Sequence, residues 1–388
     1  MKHMTTARLL WRTQAFLILL PVLFFVLALC SGCQKNDDPD KQKNTANAIK
    51  DGPVTLSMPS TSAYTGAYVD FGEGESNVTF EALTRFEQMT GKHLAVIALG
   101  NFWGDQGFPT KTLAIINGYG AVPLIFWSPW DKPYVENATV PDRFNLPNIL
   151  AGKWDKYIDQ WADAARNYGK PILVTWGLEM NGTWFPWSGI FHGGGKVIGK
   201  KNGQPLYAGP ELIKKTYRYV VDRVRARKAD NILWGFHVNN FSSPRDSWNK
   251  IANYYPGTNY VDWLGLSVYG KMAKKEGWAP FNNVMDEPYQ EICQLDARKP
   301  IILAEWGVGE FPPGDKAGFI ATAFADIPTK YQRIRAAVYW HERWENKDGT
   351  YSNLRVNSSP EALQAYQTGV AAPYWIDRPQ FEPVSKTK

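Results

Sequence analysis

Short apolar runs alternate with longer amphipathic stretches along the chain from about residue 60 onward. The runs have the length of buried strands, and between them apolar residues recur three and four positions apart, as on the buried face of a helix. The clearest helical patterns cover Phe80–Phe86, Trp154–Trp161 and Leu212–Val224. The eight predicted strands lie near Ala63–Val69, His93–Leu99, Val122–Trp127, Ile172–Gly177, Ile232–His237, Val261–Tyr269, Pro300–Glu305 and Ala336–Trp340.

This alternation predicts the fold class. Short buried strands that alternate with helices indicate parallel βαβ units. Eight such units are typical of an α/β protein that closes into a (β/α)8 TIM barrel. No long linker interrupts the pattern, so we expect one catalytic domain over residues 56–377 and a loose C-terminal tail over residues 378–388.

The first 32 residues have the pattern of a lipoprotein signal peptide. Basic residues precede an apolar run over residues 15–29, which is short for a membrane span. The run ends in Cys30-Ser31-Gly32-Cys33, which predicts cleavage before Cys33 and a lipid on its thiol. Residues 33–55 would then be a flexible tether. We expect export across the inner membrane and lipid anchoring to the cell envelope, either periplasmic or at the cell surface; a plain secretion signal is the alternative.

Charge and cysteine content exclude several classes of function. The net charge of +6 falls to +3 without residues 1–32, which hold three Lys/Arg and no Asp/Glu. So weak a charge, without a basic stripe, argues against nucleic acid as a partner. Of the three cysteines only Cys293 would remain free, and the five histidines are scattered. We therefore expect no disulfide framework, no metal, no cofactor and a monomeric chain.

Polar and aromatic residues follow the predicted strands, at the end of a barrel where active sites form. Aromatic residues make up 14% of the chain, including 17 Trp, and many lie beside Gly, Pro, Asn or Asp. Exposed ring faces stack on sugars, although for each ring simple core packing is the alternative. The most informative strand ends are Trp127-Ser128-Pro129-Trp130, His237-Val238-Asn239-Asn240 and Trp340-His341-Glu342.

Two glutamates stand out among these strand ends. Glu179 and Glu305 each follow an apolar run, on the fourth and seventh predicted strands. A carboxylate beside a buried strand is costly to desolvate unless it has partners or a chemical role. A structural ion pair would explain either residue alone. Two carboxylates that face each other about 5–5.5 Å apart across a barrel would instead perform retaining glycoside hydrolysis.

Four segments carry a resemblance to a known family. The segment from Trp176 to Trp187, which contains Glu179-Met180-Asn181-Gly182, resembles the strand-four motif of glycoside hydrolase family 26. Ala304-Glu305-Trp306-Gly307 resembles its nucleophile motif. The segment from Val261 to Gly270 and Gly66-Ala67-Tyr68 extend the likeness over roughly residues 60 to 345. The family contains mainly β-mannanases, with some mixed-linkage β-glucanases and β-1,3-xylanases.

The resemblance implies roles for residues of this chain. Glu179 would be the acid/base and Glu305 the nucleophile, which Tyr269 would hydrogen-bond. Trp184 and Trp340 would be platforms for sugar rings. Asn181 would hold the acid/base loop, whereas Trp187 is either a platform or a packing residue.

Two positions depart from the family pattern. Leu178 stands where a His commonly precedes the acid/base, and Thr175 stands where an Arg is frequent. Both family residues contact the substrate, so the sugar preference of this chain is open. The candidates to replace them are Trp103, Trp127, His237, Asn239 and Asp246.

The expected function is therefore an endo-acting, retaining hydrolase of a β-linked polysaccharide, with β-1,4-mannan and mixed-linkage β-glucan as the two candidate substrates. Two alternatives remain. One is a catalytically silent carbohydrate-binding lipoprotein, and the other is a hydrolase of the cell's own exopolysaccharide.

Overall fold

A computed structural model of the protein describes residues 52–72, 75–104, 107–131 and 142–384. The predicted signal peptide, the lipidation site Cys33 and most of the predicted tether lie outside the described residues. None of the described helices is long and apolar enough to span a membrane.

Within the described residues, eight parallel strands form a closed barrel, because the last strand pairs with the first. The predicted (β/α)8 TIM barrel is confirmed, and each predicted strand overlaps an observed one. The barrel strands are β2 (Ala63–Tyr68), β3 (Val96–Phe102), β4 (Val122–Ser128), β5 (Ile172–Trp176), β8 (Ile232–Asn239), β9 (Trp263–Tyr269), β10 (Ile301–Gly307) and β11 (Ile334–Trp340). The shorter strands are β1 (Val54–Ser57), β6 (Val197–Lys201), β7 (Gln204–Tyr207), β12 (Arg343–Glu345), β13 (Tyr351–Asn353), β14 (Trp375–Ile376) and β15 (Gln380–Pro383).

Helices cover the outside of the barrel. Those of the described chain are α1 (Phe80–Thr90), α2 (Thr110–Tyr119), α3 (Leu146–Leu150), α4 (Asp155–Tyr168), α5 (Ala208–Ala226), α6 (Phe281–Cys293), α7 (Lys316–Thr329) and α8 (Pro360–Val370). The start of α1 shows why a helix begins at this point in the sequence. The Thr79 hydroxyl accepts a hydrogen bond from the Ala82 N–H and caps the helix. Leu83 and Phe86 then face the core, as the apolar spacing predicts.

The two ends of the described chain pair with each other, which corrects the predicted tether and tail. β1 and β15 form an antiparallel ribbon, so residues 54–55 of the predicted tether and residues 380–383 of the predicted tail belong to paired strands. The hydroxyl of Tyr64 joins the ribbon to the barrel by donating to the Ser57 carbonyl and accepting from the Gln380 N–H. Neither short strand has a strong apolar pattern, since all four positions of β15 are exposed and β1 fully buries only Leu56.

Candidate active site

The backbone turns sharply at Glu179, directly after β5. Its φ of 52° lies in the left-handed region, which costs free energy for a residue with a side chain and is common at functional sites. The Glu179 N–H donates to the His237 carbonyl at 2.9 Å, which fixes the turn against β8. Gly182 lets the loop fold back, because a Cβ there would lie 2.5 Å from the Trp184 ring. The turn thereby places Trp184 against the Glu179 carboxyl.

The carboxyl of Glu179 is buried and accepts several hydrogen bonds. The indole N–H of Trp184 donates to Oε2 at 2.6 Å, and the side-chain amide of Asn239 donates to Oε1 at 2.8 Å. Burial raises the pKa of Glu179, while hydrogen bonds from Ser267, Asn239 and Trp184 oppose that rise. With 6% of its surface exposed, Glu179 is a carboxyl that can hold its proton yet is equipped with donors for its ionised form.

Glu305 lies on β10, across the barrel mouth from Glu179, and is 7% exposed. The phenol of Tyr269, the last residue of β9, donates to Glu305 Oε2 at 2.7 Å. Burial raises the pKa of Glu305 well above its ordinary value, and the charge of Glu179 raises it further. The hydrogen bond from Tyr269 acts in the opposite direction and favours the carboxylate. Burial of both carboxyls, together with the charge of Glu179 acting on Glu305, therefore disfavours the state in which both are ionised.

The two carboxyls approach closely. One oxygen of Glu179, one oxygen of Glu305 and one ring nitrogen of His237 all lie within 4.8 Å of one another. By spacing alone, this trio is the group among the described residues that could hold a metal ion. However, the carboxyl oxygens already accept hydrogen bonds from Trp184, Asn239 and Tyr269, so we assign no metal there. So short a separation suits a nucleophile and an acid/base that act on one sugar carbon.

Two of the predicted sugar platforms line this mouth. Trp340 stacks on Tyr68 with ring centroids 4.1 Å apart, and its indole N–H donates to Glu342 at 2.7 Å. Trp184 is half-buried, and the edge of its ring contacts Phe241. Asn181 is fully buried and braces the loop, because its amide donates to the Asn239 carbonyl and its oxygen accepts from the Asn239 N–H.

Trp103 and Trp127 are wrong as predicted sugar contacts. They are 1% and 0% exposed, and they pack against each other in the layer between barrel and helices. Trp127 stacks on Trp161 of α4, at 4.1 Å between ring centroids. With its face covered, neither indole can meet a sugar ring.

The other candidates divide in the same way. Trp187 is a packing residue, since it is buried and donates to the Leu178 carbonyl at 2.7 Å. Asp246 is exposed and accepts from the indole of Trp248, with no contact to either glutamate among its hydrogen bonds. His237 is fully buried beside the glutamates.

Several residues of the mouth escaped the sequence prediction. Ser267 lies two positions before Tyr269 on β9, and this spacing of two along a strand was the available signal, whereas Glu342 follows the end of β11. Burial raises the pKa of Glu342 to about 7. Burial, helped by the charge of Glu342, raises the pKa of Glu75 to about 8. Phe241 is 45% exposed beside Trp184, and nothing in its local sequence marks it.

Fold and site together define a TIM barrel with a close pair of buried carboxyls and aromatic walls. A family model described as Glycosyl hydrolase family 26 matches residues 136–300. Endoglucanase H of Acetivibrio thermocellus is 30% identical over 315 residues, which cover 79% of this chain and 30% of that protein. A mannan endo-1,4-β-mannosidase of Bacillus subtilis is 26% identical over 250 residues, which cover 63% of this chain and 59% of that protein.

The structural comparison agrees with the sequence comparison on the fold. A Bacillus subtilis mannanase structure superposes with a TM-score of 0.55 at 19% identity, covering 82% of this chain and 87% of that one. By sequence, the region that includes residues 136–300 belongs to glycoside hydrolase family 26. The chain spans less than two thirds of the length of the curated relatives named above.

Proposed function

We propose that the protein is a retaining, endo-acting glycoside hydrolase that cleaves a β-linked polysaccharide with Glu305 as nucleophile and Glu179 as acid/base. The observation that carries the proposal is the approach of the two buried carboxyls to within 4.8 Å. An inverting pair would stand about 6.5–9.5 Å apart to admit a water molecule. The hydrolase activity of the family supports the same conclusion.

In the first step, a Glu305 oxygen attacks the anomeric carbon and forms an ester. The bond from this carbon to the glycosidic oxygen breaks, and the proton of Glu179 passes to the departing oxygen. In this proposal the proton resides on Glu179, and the Tyr269 hydroxyl stabilises the ionised form of Glu305. The rise in the pKa of Glu179 through burial keeps that proton in place near neutral pH.

In the second step, Glu179 works as a base. The ester has removed the charge of Glu305, so repulsion between two carboxylates no longer opposes ionisation of Glu179. Trp184 and Asn239 then stabilise its carboxylate. Glu179 takes a proton from water, the water oxygen attacks the anomeric carbon, and the ester bond breaks to restore the Glu305 carboxylate.

The aromatic residues suggest where the polymer lies. Trp340 would contact the sugar that becomes the ester, because it lies on the strand next to that of Glu305. Trp184 and Phe241 would contact the departing sugar, because they stand beside Glu179. β-1,4-Mannan and mixed-linkage β-glucan are the candidate polymers, since the matched relatives include both a mannosidase and an endoglucanase. We also propose that the enzyme is monomeric and lipid-anchored through Cys33 to the cell envelope.

The test combines two substitutions with a chemical readout. Glu305→Gln and Glu179→Gln should each abolish release of reducing ends, while Glu361→Gln, a change at an exposed position of α8, should leave activity intact. A 2-fluoro glycoside should label the wild type on Glu305, as located by peptide mass spectrometry. Azide should rescue a Glu179→Ala variant on an activated aryl glycoside and yield a β-glycosyl azide.

Substrate and stereochemistry decide the rest of the proposal. Wild-type protein should release β-anomers first from mannan or mixed-linkage glucan, with β-1,3-xylan and the cell's own exopolysaccharide assayed alongside. Initial release of α-anomers, or full activity in either Gln variant, would remove the retaining mechanism. Tight glycan binding without any cleavage would favour the silent binding lipoprotein instead.

A further inference from the structure

Two buried polar residues, His237 and Ser267, lie close to Glu179 and donate no hydrogen bond to the nucleophile Glu305. His237 is on β8 and Ser267 is on the neighbouring strand β9. The His237 Nε2 and Ser267 Oγ atoms are 2.7 Å apart, and both residues are fully buried. Asn239, which lies opposite Ser267 on the neighbouring strand, donates to the Glu179 carboxyl, and the Ser267 hydroxyl lowers the pKa of the same carboxyl.

Strand register creates this arrangement. β8 and β9 run in parallel, with His237 opposite Gly265 and Asn239 opposite Ser267. Only glycine fits at position 265, because a Cβ there would lie 3.0 Å from the His237 Cβ and 2.8 Å from the Trp263 ring. Ser267 and Tyr269 share one face of β9, since they lie two positions apart. One strand thus supplies a hydroxyl to each of the two glutamates.

The direction of the hydrogen bonds follows from the surroundings of His237. Burial lowers the pKa of His237 to about 3, so the ring is neutral near neutral pH. Among the residues that the structure describes, its Nδ1 has no hydrogen-bond partner. Buried N–H groups without a partner are rare in proteins, so we assign the proton to Nε2, which has a partner, and not to Nδ1. That N–H donates to Ser267 Oγ, which turns the serine proton toward Glu179.

We propose that Ser267, oriented by His237, is a positioning residue that stabilises Glu179 as the carboxylate in the second, water-consuming half of the reaction. The inference rests on the proposed function and deepens it. The two glutamates must be ionised at different steps. Glu305 must be ionised in the first step, and Glu179 only after the ester has formed. The hydrogen-bonded pair of His237 and Ser267 is uncharged. It supplies a donor to Glu179 without placing a positive charge beside the Glu179 proton in the first step.

The test uses full-length Ser267→Ala and measures the two half-reactions separately. On a dinitrophenyl β-disaccharide, the first half needs no acid, so kcat reports breakdown of the ester. We expect kcat to fall about 3–10-fold while kcat/KM stays within twofold, as loss of one hydrogen bond to the base would produce. On polysaccharide, the alkaline limb of kcat/KM should move up by about 0.5–1 pH unit. Glu305, Tyr269, Glu75 and Glu342 also face the pair, and Ser267→Ala leaves them in place.

Matched variants separate positioning from folding. Ser267→Thr should restore the wild-type values, and His237→Phe should reproduce the Ser267→Ala pattern in weaker form. Thr216→Val, which removes a buried hydroxyl on α5, should change neither readout. An unmoved alkaline limb, or an equal loss in both half-reactions, would overturn the proposal. If wild-type protein forms no ester with a 2-fluoro glycoside, the proposed function fails; if it does and Ser267→Ala behaves as wild type, only this inference fails.

Discussion

The hydrogen bond from Tyr269 to Glu305 offers a sharp test of how the pair divides its single proton. Tyr269→Phe removes one oxygen and leaves the ring that packs at the end of β9. The distance of 2.7 Å from the Tyr269 hydroxyl oxygen to Glu305 Oε2 lies in the range of hydrogen bonds to a charged acceptor. Such bonds contribute about 1.5–3 kcal/mol. If that energy acts on the ionised nucleophile, kcat/KM should fall by roughly 10- to 150-fold.

The same substitution should change the pH dependence in a defined direction. Tyr269 lowers the pKa of Glu305 against the rise caused by burial and by Glu179. Without it, Glu305 stays protonated to higher pH, so the acidic limb of kcat/KM should move up by about 1–2 pH units. The limb is measured from initial rates of reducing-end release across the pH range.

A second tyrosine provides the control. Tyr217→Phe removes a buried hydroxyl that donates to the Gly235 carbonyl at 3.0 Å and not to a carboxylate. It should lower the melting temperature yet leave kcat/KM within twofold and the acidic limb unmoved. Tyr269→Phe with a wild-type acidic limb, or with a profile that matches Tyr217→Phe, would refute the assignment of the proton.

Two further predictions concern stability and polymer binding. The pKa of Glu305 is raised in the folded state, so its ionisation destabilises the fold at high pH. Glu305→Gln should therefore melt at least about 2 °C above wild type at pH 9, and the difference should be lost below about pH 4. Equal melting temperatures of the two proteins at both pH values would contradict the burial argument. Phe241→Ala should raise KM for polysaccharide about 3–10-fold without changing hydrolysis of the dinitrophenyl disaccharide, and Phe80→Ala, at another exposed phenylalanine, should do neither. A KM unchanged in both variants would remove Phe241 from the cleft.

The barrel could be predicted from the sequence because each βα unit carries its own local signal. A buried strand needs an uninterrupted apolar run, and its helix needs one apolar face, so both are visible in a short window. The ribbon of β1 and β15 has no such signal. Its stability depends on pairing between residues far apart in the chain, and its side chains are mostly exposed.

Trp127 and Trp340 show why a strand end alone does not predict which tryptophans reach the barrel mouth. Trp127 and Trp340 both end apolar runs, but successive side chains of a strand point to opposite faces. Trp127 points outward onto Trp161, whereas its neighbour Phe126 points to the mouth, near His237 and Trp340. A shift of one residue decides whether a side chain points to the barrel mouth or to the surrounding helices. An apolar run does not reveal which of its residues point to which side.

Glu179 and Glu305 could be proposed early because a carboxyl next to a buried run is unusual by itself. Their partners could not. Asn239 and Ser267 are ordinary polar residues until the register of β8 and β9 brings both to Glu179. That register depends on packing of the whole barrel, including the close approach that Gly265 permits.

The antiparallel ribbon has a consequence for how a long polymer could reach the enzyme. β1 leads directly into the start of β2, and β14 pairs with the first residues of β2, so the first and last strands meet below the barrel. The two glutamates stand at the opposite rim. A support or fusion partner joined directly to residue 52 or residue 384 would therefore be attached at the rim away from the two glutamates, so the attachment point would not obstruct the opening that a glycan enters.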